Sequence, residues 1–190
     1  FTDVTGLVKS VDIPVYRLGV ALEDGIWFDG SSVEGFARIQ ESDMRLMPDP
    51  ATYAVLPWSP VELRRARIFC DIYQPDGNPF PGDPRGILKR MLTRVSDRGW
   101  KFNVGPEPEF FLFRRNGRDS IHPVPHDVGG YFDFSANDDA VRVRTELMEA
   151  LSSMGLEVEM GHHEVALGQH EIDFRFDDAL RTADNVLTLK

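Results

Sequence analysis

The chain has 190 residues, of which 42% are hydrophobic and 11% aromatic, which is enough to build a buried core and excludes global disorder. Its net charge of −10 and the lack of any run of five basic residues exclude a duplex nucleic-acid binder. The sequence has neither an apolar stretch of 18 residues nor a signal-peptide pattern, and its single cysteine, Cys70, fits a reducing compartment. We therefore expect a cytoplasmic protein with no nucleic-acid or membrane partner.

The first part of the chain consists of short runs with the composition of β-strands. We predict strands over residues 7–15, 43–48, 52–58 and 67–73, because turn residues separate these runs.

The segment from Gln74 to Pro84 follows these strands and contains four prolines and two glycines. Such a density excludes a helix or a central strand. We interpret the segment as a linker between a domain over residues 1–82 and a domain over residues 83–190.

Two helices are predicted after this segment. Asp83 is a suitable N-cap, Pro84 suits the first helical position, and Gly99 suits the C-terminal end of the first helix. The second helix is expected from about Asn137 to Met154. Because strand-like runs over 102–114, 156–165 and 169–176 flank the second helix, the fold class is α+β.

Glu107 and Glu109 lie two apart in a strand-like run, so their side chains are expected on one face. Two like charges on a phenylalanine-rich strand resist burial unless a cation lies between them. For this pair taken alone, a solvated strand end is the favoured interpretation.

A second pair of glutamates strengthens the metal interpretation. If Leu167-Gly168 is a two-residue hairpin turn, Glu164 faces Glu171 across the two strands. Like charges in opposite positions destabilise an ordinary sheet, and all-oxygen ligands favour Mg²⁺ or Mn²⁺ over zinc. His162 and His163 are interpreted as structural, since neighbours on a strand point to opposite faces.

Five segments, taken together, carry a resemblance to a known family. They are FDGSSVEGFARIQESDMRLMPDP, FCDIYQPDGNPFPGDPR, GPEPEFFLF, GGYFD and HHEVALGQHEIDFRF. In this order, they resemble bacterial type I glutamine synthetases over nearly the whole chain. The seven-residue offset from Glu164 to Glu171 resembles the Bacillus-like branch. The resemblance implies an N-terminal β-grasp domain over residues 1–82, followed by the first portion of the catalytic α+β domain.

This resemblance also implies an activity and an assembly. The implied reaction is ATP-dependent ligation of ammonia to the γ-carboxylate of glutamate through γ-glutamyl phosphate, with Mg²⁺ or Mn²⁺ as cofactor. The implied partners are ATP, glutamate, ammonium and further copies of the chain, in a dodecamer of two stacked hexameric rings. The chain is expected to be a segment of a longer protein and not to catalyse the full reaction alone.

Three sets of site residues follow from the matched motifs. The implied metal ligands are Glu107, Glu109, Glu164 and Glu171. The implied ammonium site, which serves catalysis, comprises Asp29, Ser32, Tyr131 and Glu164. The implied nucleotide contacts are Glu159 and Phe176.

Two other functions remain open from the sequence. A γ-glutamyl-amine ligase of the same superfamily would use a polyamine or another amine in place of ammonia, although the acidic Asp29 favours ammonium. A catalytically silent interaction module would have no need to retain four glutamate ligands. The choice of amine and the binding of metal by the complete protein discriminate these possibilities.

Overall fold

A computed structural model describes residues 1–33, 35, 42–115, 122–134 and 139–190. The predicted start of the second helix at Asn137 and residues 34 and 36–41 of the first matched segment lie outside this range. The described chain forms two compact units, one of Phe1–Asn103 with Asp178–Leu187 and one of Val104–Asp177 with Thr188–Lys190. Within the described ranges, no helix has the length and apolar character needed to cross a membrane.

The first unit is built on an antiparallel sheet with strand order β1–β2–β5. These strands are β1 (Ile26–Asp29), β2 (Asp43–Pro48) and β5 (Cys70–Tyr73). Two shorter strands, β3 (Ala54–Val55) and β4 (Ala66–Arg67), pair with each other. The prediction for β2 is confirmed over its whole length, whereas the predicted strands over 52–58 and 67–73 are shorter or divided.

Alternate residues of the central strands form the core of this unit. Met44 and Leu46 of β2 and Cys70 and Ile72 of β5 are buried against each other, as the two-residue period of a strand requires. Five partly buried hydrophobic residues complete the cluster: Phe1, Ile26, Phe28, Val33 and Phe80.

The predicted strand over residues 7–15 is wrong. Thr2 and Val8 form only an isolated bridge, because Asp3 Oδ1 accepts hydrogen bonds from the backbone N–H groups of Thr5 and Leu7 and turns the chain. The sequence analysis also missed strand β1 and helix α1 (Leu18–Asp24). This helix is two turns long, too short for helical periodicity to identify it.

The proline- and glycine-rich segment folds back on β5. The N–H of Gln74 donates to the carbonyl of Asn78 at 2.8 Å, and Gly77 takes the positive φ of +84° that this tight turn requires. The N–H of Phe80 then donates to the carbonyl of Ile72 at 2.8 Å. The segment has neither helix nor regular strand, as predicted, but it is held to the sheet of the first unit.

Helix α2 (Pro84–Ser96) begins as the sequence predicts. Asp83 is its N-cap and accepts a hydrogen bond from the N–H of Arg85, while Pro84 is the first helical residue. The other carboxylate oxygen of Asp83 accepts from the N–H of Ile72 at 3.2 Å, which ties the helix start to β5. Gly99, with φ of +74°, follows the end of the helix.

Arg85 is the centre of a largely buried ion cluster in the first unit. Its guanidinium group contacts the carboxylates of Asp49 at 2.8 Å, Asp71 at 2.6 Å and Asp184 at 2.8 Å, and Lys89 also contacts Asp71. Burial by itself would lower the pKa of Arg85, but the three carboxylates outweigh burial and raise it. The cluster joins α2, β5 and helix α4 (Ala179–Leu189), which the sequence analysis did not predict.

The second unit contains an antiparallel sheet with strand order β7–β9–β8. Its strands are β7 (Glu109–Phe111), β8 (Val158–His163) and β9 (Gln169–Phe174), and helix α3 (Asp139–Ser153) packs against β8. The predicted strand over 102–114 is divided into β6 (Asn103–Val104) and β7, because Pro106 and Pro108 have no N–H to donate. A short strand, β10 (Asp177–Asp178), precedes α4.

We expect Arg85→Ala to destabilise the full-length protein by about 3–5 kcal/mol, because it removes the cation that three largely buried carboxylates share and leaves only Lys89 beside Asp49 and Asp71. The matched control is Arg65→Ala, since Arg65 pairs with Asp12 at 3.1 Å and both side chains are more than half exposed. Arg65→Ala should lower the free energy of unfolding by only about 0–1 kcal/mol. Thermal unfolding measures both, and equal effects of the two substitutions would contradict a stabilising role of the cluster.

Candidate functional site

The β7–β9–β8 sheet gathers acidic side chains on one face, here called the carboxylate face. Glu171 of β9 lies opposite Glu109 of β7 on one side and opposite His162 of β8 on the other. Glu164 follows His162 by two residues and Asp173 follows Glu171 by two, so both belong to the same face by alternation. These five residues define the carboxylate face.

The register of the hairpin differs from the predicted one. The N–H of Glu164 donates to the carbonyl of Gln169, so Glu164 lies opposite Gln169 and not opposite Glu171. The loop has four residues, 165–168, instead of the predicted two-residue turn. The carboxylate of Asp127 accepts a hydrogen bond from the N–H of Gly168 at 2.9 Å and thereby fixes the wider loop.

Glu164 and Glu171 nevertheless come together, with His162 between them. Nδ1 of His162 is 3.7 Å from Oε1 of Glu164, and its Nε2 is 3.5 Å from Oε2 of Glu171. One ligand atom from each of the three residues lies within 4.8 Å of the others, which is close enough to bind one metal ion. His162 is therefore part of the cluster, which the sequence analysis did not foresee.

Crowding on the carboxylate face perturbs Glu171. Its side chain is buried, and burial together with the neighbouring charges of Asp173 and Glu164 raises its pKa to about 7. A carboxyl group with this environment holds a proton near neutral pH unless a cation replaces it.

The two glutamates of the β6–β7 region are exposed. Glu109 accepts a hydrogen bond from the side-chain amide of Gln169, which lies two pairs further along the same strands. Glu107 precedes β7 and is exposed. Glu109 thus lies beside Glu171, as an opposite pair that the sequence analysis did not identify.

The reverse face of this sheet is occupied by a hydrogen-bonded histidine network. His163 has Nδ1 2.6 Å from the carbonyl oxygen of Glu164 and Nε2 3.1 Å from both carboxylate oxygens of Asp127. Both ring nitrogens face acceptors, so the charged imidazolium is favoured. Burial is the largest single effect and opposes this charge, but the hydrogen bonds to Asp127 and to the carbonyl of Glu164, together with the charge of Asp127, outweigh it and raise the pKa of His163. The network fixes the backbone that carries Glu164.

A second group of potential ligands, His126, Asp127 and His170, belongs to this network. Arg144 donates from Nη1 to Nδ1 of His170 at 2.7 Å, so the proton of the neutral ring is on Nε2, 2.9 Å from Nε2 of His126. Burial, followed by the charge of Arg144, lowers the pKa of His170 to about 4. A protonated Nε2 and a nearby guanidinium both disfavour a cation, and the group is better explained as structural.

An aromatic turn covers His162. The ring of Phe132 stacks on that of His162 with centroids 4.5 Å apart, and Tyr131 approaches the same imidazole edge-on at 5.5 Å. Phe132 has a φ of +60°, which is unusual for a bulky residue, and its N–H donates to the carbonyl of His163 at 3.0 Å. Tyr131, an implied ammonium-site residue, therefore lies beside the carboxylate face.

Asp29 and Ser32, the other implied ammonium-site residues, belong to the first unit. Asp29 Oδ1 accepts from the N–H and the hydroxyl of Ser31 at 2.9 and 2.6 Å, and Ser32 Oγ lies 3.4 Å from Asp29 Oδ2. These hydrogen bonds, with that of the Ser31 hydroxyl the strongest, lower the pKa of Asp29. The carboxylate is exposed and stays ionised, and it also caps the 3-10 turn at Gly30–Ser32.

The implied nucleotide residues lie at the far end of the same sheet. Glu159 is exposed at an irregularity of β8, where the pairing shifts between Val158 and Met160 and one residue has no partner. Phe176 follows β9, is 56% exposed, and has the guanidinium of Arg175 5.9 Å from its ring centroid. Both side chains are accessible to a ligand.

The residues present fit a divalent cation. Glu164 and Glu171 offer oxygen ligands within reach of one ion, and Glu109 lies directly opposite Glu171. Burial first, and then the charges of Asp173 and Glu164, raise the pKa of Glu171, and a bound cation would favour its ionised form again. Carboxylate oxygens are the ligands that Mg²⁺ and Mn²⁺ prefer.

Comparison with known proteins agrees with this geometry. The profile "Glutamine synthetase, beta-Grasp domain" matches residues 1–75, and "Glutamine synthetase, catalytic domain" matches residues 81–190. The chain belongs to the glutamine synthetase family. Its fold is accordingly the β-grasp domain followed by the start of the glutamine synthetase catalytic domain, as expected from the sequence.

Individual members of the glutamine synthetase family show how much of the family's length is present. The chain is 52% identical to the glutamine synthetase of Halobacterium salinarum over 100% of its own length and 42% of that protein. It superposes on a structure titled "Apo GmaS without ligand" (TM-score 0.82, 27% identity, 99% of this chain and 44% of that one). It also superposes on the Plasmodium falciparum glutamine synthetase (TM-score 0.76, 26% identity, 94% and 39%). The chain thus spans less than half the length of these relatives.

Glu171→Gln should change how stability depends on pH in the metal-free, full-length protein. Because the folded pKa of about 7 lies above the ordinary value of 4.5, ionisation of Glu171 progressively destabilises the fold as pH rises between these values. The variant should match the wild type near pH 4.5 and exceed its thermal midpoint at pH 8.

Thermal unfolding in a chelating buffer at several pH values measures this difference. Glu149→Gln, on the exposed side of α3, serves as the control and should leave the thermal midpoint unchanged both near pH 4.5 and at pH 8. A constant offset between Glu171→Gln and wild type at all pH values would contradict the raised pKa.

Proposed function

We propose that this chain is a segment of a glutamine synthetase that ligates ammonia to the γ-carboxylate of glutamate with ATP. The single observation that carries the proposal is the cluster of His162, Glu164 and Glu171, with Glu109 directly opposite Glu171, in a member of this family. The reaction proceeds through γ-glutamyl phosphate, and each carboxylate serves to hold cations beside the transferred phosphoryl group.

Glu109, Glu164 and Glu171 would hold one divalent cation, and the exposed Glu107 would hold a second. Bound as Mg²⁺ or Mn²⁺, the cations would supply positive charge to the transferred phosphoryl group. His162 contacts both Glu164 and Glu171 and, stacked on Phe132, keeps the two carboxylates oriented. Glu159 and Phe176 contact the nucleotide, with Phe176 as the aromatic surface for the base.

Asp29, Ser32, Tyr131 and Glu164 form the ammonium site. Asp29 is held ionised by its hydrogen bonds to Ser31, which supports binding of a cationic ammonium ion. The same carboxylate takes a proton from ammonium to release the ammonia nucleophile. Asp29 and Ser32 come from one subunit and Tyr131 and Glu164 from its neighbour.

The complete protein forms a dodecamer of two stacked hexameric rings, in which each active site combines two subunits. Residues 1–82 form the β-grasp domain and residues 83–190 the first portion of the catalytic domain. The large exposed hydrophobic residues of the first unit, among them Val15, Tyr16 and Val61, support subunit contacts. The seven-residue offset from Glu164 to Glu171 supports the Bacillus-like branch of the family.

Removing one ligand charge tests the cation site. Glu109→Gln and Glu164→Gln in the full-length enzyme keep the shape of the side chain but remove its charge, and each should weaken Mn²⁺ affinity and reduce glutamine synthesis by at least about 10–100-fold. Calorimetric titration with Mn²⁺ and an assay of phosphate release measure the two effects. Glu157→Gln, an exposed residue paired with Arg175, is the control. Unchanged affinity in both ligand variants would contradict the assignment.

The proposed role of Asp29 in binding and deprotonating ammonium can be separated by experiment from its role as the cap of the 3-10 turn. Asp29→Asn keeps an acceptor for the N–H of Ser31 but removes the charge, so it should raise the ammonium KM and lower kcat by about 10²–10⁴-fold. The KM values for ATP and glutamate should change little.

Two further measurements sharpen this test. Mixing Asp29→Asn subunits with Glu164→Gln subunits should restore part of the activity, since some sites then combine two intact halves. Replacing ammonia by putrescine in the wild-type assay distinguishes a synthetase from a polyamine ligase. Near-normal activity of Asp29→Asn would leave only the capping role.

A further inference from the structure

The backbone at Phe132 has a conformation that its side chain disfavours. Within the described ranges, Phe132 is the only non-glycine residue with a positive φ, and a bulky side chain resists this left-handed region. Gly129 and Gly130 come just before it, and neither of them has a positive φ. The left-handed conformation thus falls on the aromatic residue, although two glycines stand next to it in the chain.

Backbone hydrogen bonds hold this turn against β8. The N–H of Phe132 donates to the carbonyl of His163 at 3.0 Å, and the N–H of Asp133 donates to the carbonyl of Gly130 at 3.0 Å. Asp133 Oδ2 accepts in return from the N–H of Gly130 at 2.8 Å. A Cβ atom at Gly129 would lie 2.8 Å from Nε2 of His163, so the absence of a side chain allows the turn to approach the strand this closely. These contacts fix the backbone of Phe132.

The side chain of Phe132 contacts other rings at the surface. Phe132 is 56% exposed, and its ring stacks on that of His162 with the two planes inclined by 19°. The ring of Tyr131, which is 58% exposed, lies edge-on to both, with centroids 4.4 Å from Phe132 and 5.5 Å from His162. Because more than half of Phe132 is exposed, burial of apolar surface does not account for the disfavoured backbone.

The three rings form one cluster beside an acidic side chain. Nδ1 of His162 is 3.7 Å from Oε1 of Glu164, and the stacked ring of Phe132 limits rotation of the imidazole away from this contact. Without the Phe132 ring, Tyr131 and His162 would keep only their edge contact with each other. The arrangement of these two rings relative to Glu164 therefore depends on Phe132.

We propose that Phe132 is a positioning residue of the ammonium site, whose left-handed backbone and stacked ring hold Tyr131 and His162 beside Glu164. This inference rests on the proposed function, because Tyr131 and Glu164 belong to the proposed ammonium site. Phe132 acts through its two neighbours and needs no contact with ammonium itself. The role accounts for a disfavoured backbone conformation at an exposed aromatic residue.

The test is steady-state kinetics of the full-length enzyme carrying Phe132→Asn, with ammonium, ATP and glutamate varied in turn. Asparagine tolerates the left-handed region and keeps the backbone, but it lacks the ring. We expect the ammonium KM to rise by about 10–100-fold, because small displacements of site groups have effects of this size. The KM values for ATP and glutamate should change far less. Phe132→Tyr keeps the stacked ring and should retain the ammonium KM of the wild type.

Phe134→Asn is the matched control for the loss of an aromatic ring. Phe134 lies two residues further along the same segment and is 80% exposed, so its replacement should leave all three KM values unchanged.

Thermal unfolding separates a positioning role from a purely structural one. In Phe132→Asn and Phe132→Gly, relief of the disfavoured backbone offsets the lost ring contacts, so both thermal midpoints should equal or exceed that of the wild type. A wild-type ammonium KM in both variants would overturn the proposal, as would an equal loss in Phe132→Tyr. A lowered midpoint with an equal rise of all three KM values, or failure of both variants to fold, would overturn it as well.

The outcomes also separate this inference from the proposed function. If the wild type forms glutamine from ammonium and Asp29→Asn raises the ammonium KM, but Phe132→Asn does not, only the role of Phe132 is refuted. If the wild-type enzyme forms no glutamine from ammonium, the proposed function fails and the inference fails with it.

Discussion

Repulsion between carboxylates on one sheet face is the constraint around which the second unit is organised. Glu171 lies opposite Glu109 and shares the contact of His162 with Glu164, and none of these three glutamates has an arginine or lysine partner in the part of the chain that the structure describes. A protein that needed only stability would not retain such an arrangement, since like charges in opposite positions weaken a sheet. A divalent cation at the proposed site would turn this mutual repulsion into shared attraction.

The remaining features of the unit hold these carboxylates in place. On the reverse face, His163 and Asp127 fix the loop that follows β8, and Arg144 fixes His170. On the carboxylate face, Phe132 takes an unusual backbone conformation and stacks on His162. Backbone strain of this kind persists only where the surrounding structure enforces it, and it is frequent at functional sites. The buried network thus positions the side chains of the carboxylate face, and the cluster around Arg85 lies within the first unit.

Local signals in the sequence predicted much of this architecture, whereas the pairing between distant segments required the structure. The cap at Asp83 and strand β2 follow from turn chemistry and alternation. The hairpin register could not be predicted from local signals, because the wider loop is held by Asp127, which lies 41 residues away from Gly168. For the same reason the position of His162 in the cluster was missed. Its spacing of two from Glu164 was visible, but alternation alone does not reveal which face is crowded.

The central claim is that a divalent cation occupies the carboxylate face, and crystallography of the full-length protein with Mn²⁺ tests it most directly. The account predicts an anomalous-difference peak at bonding distance, about 2.0–2.6 Å, from oxygens of Glu109, Glu164 and Glu171. The raised pKa of Glu171 suggests data collection at pH 8, where the proton no longer competes with the metal. Peaks only at exposed acidic residues elsewhere, with no peak among these three glutamates, would contradict the account.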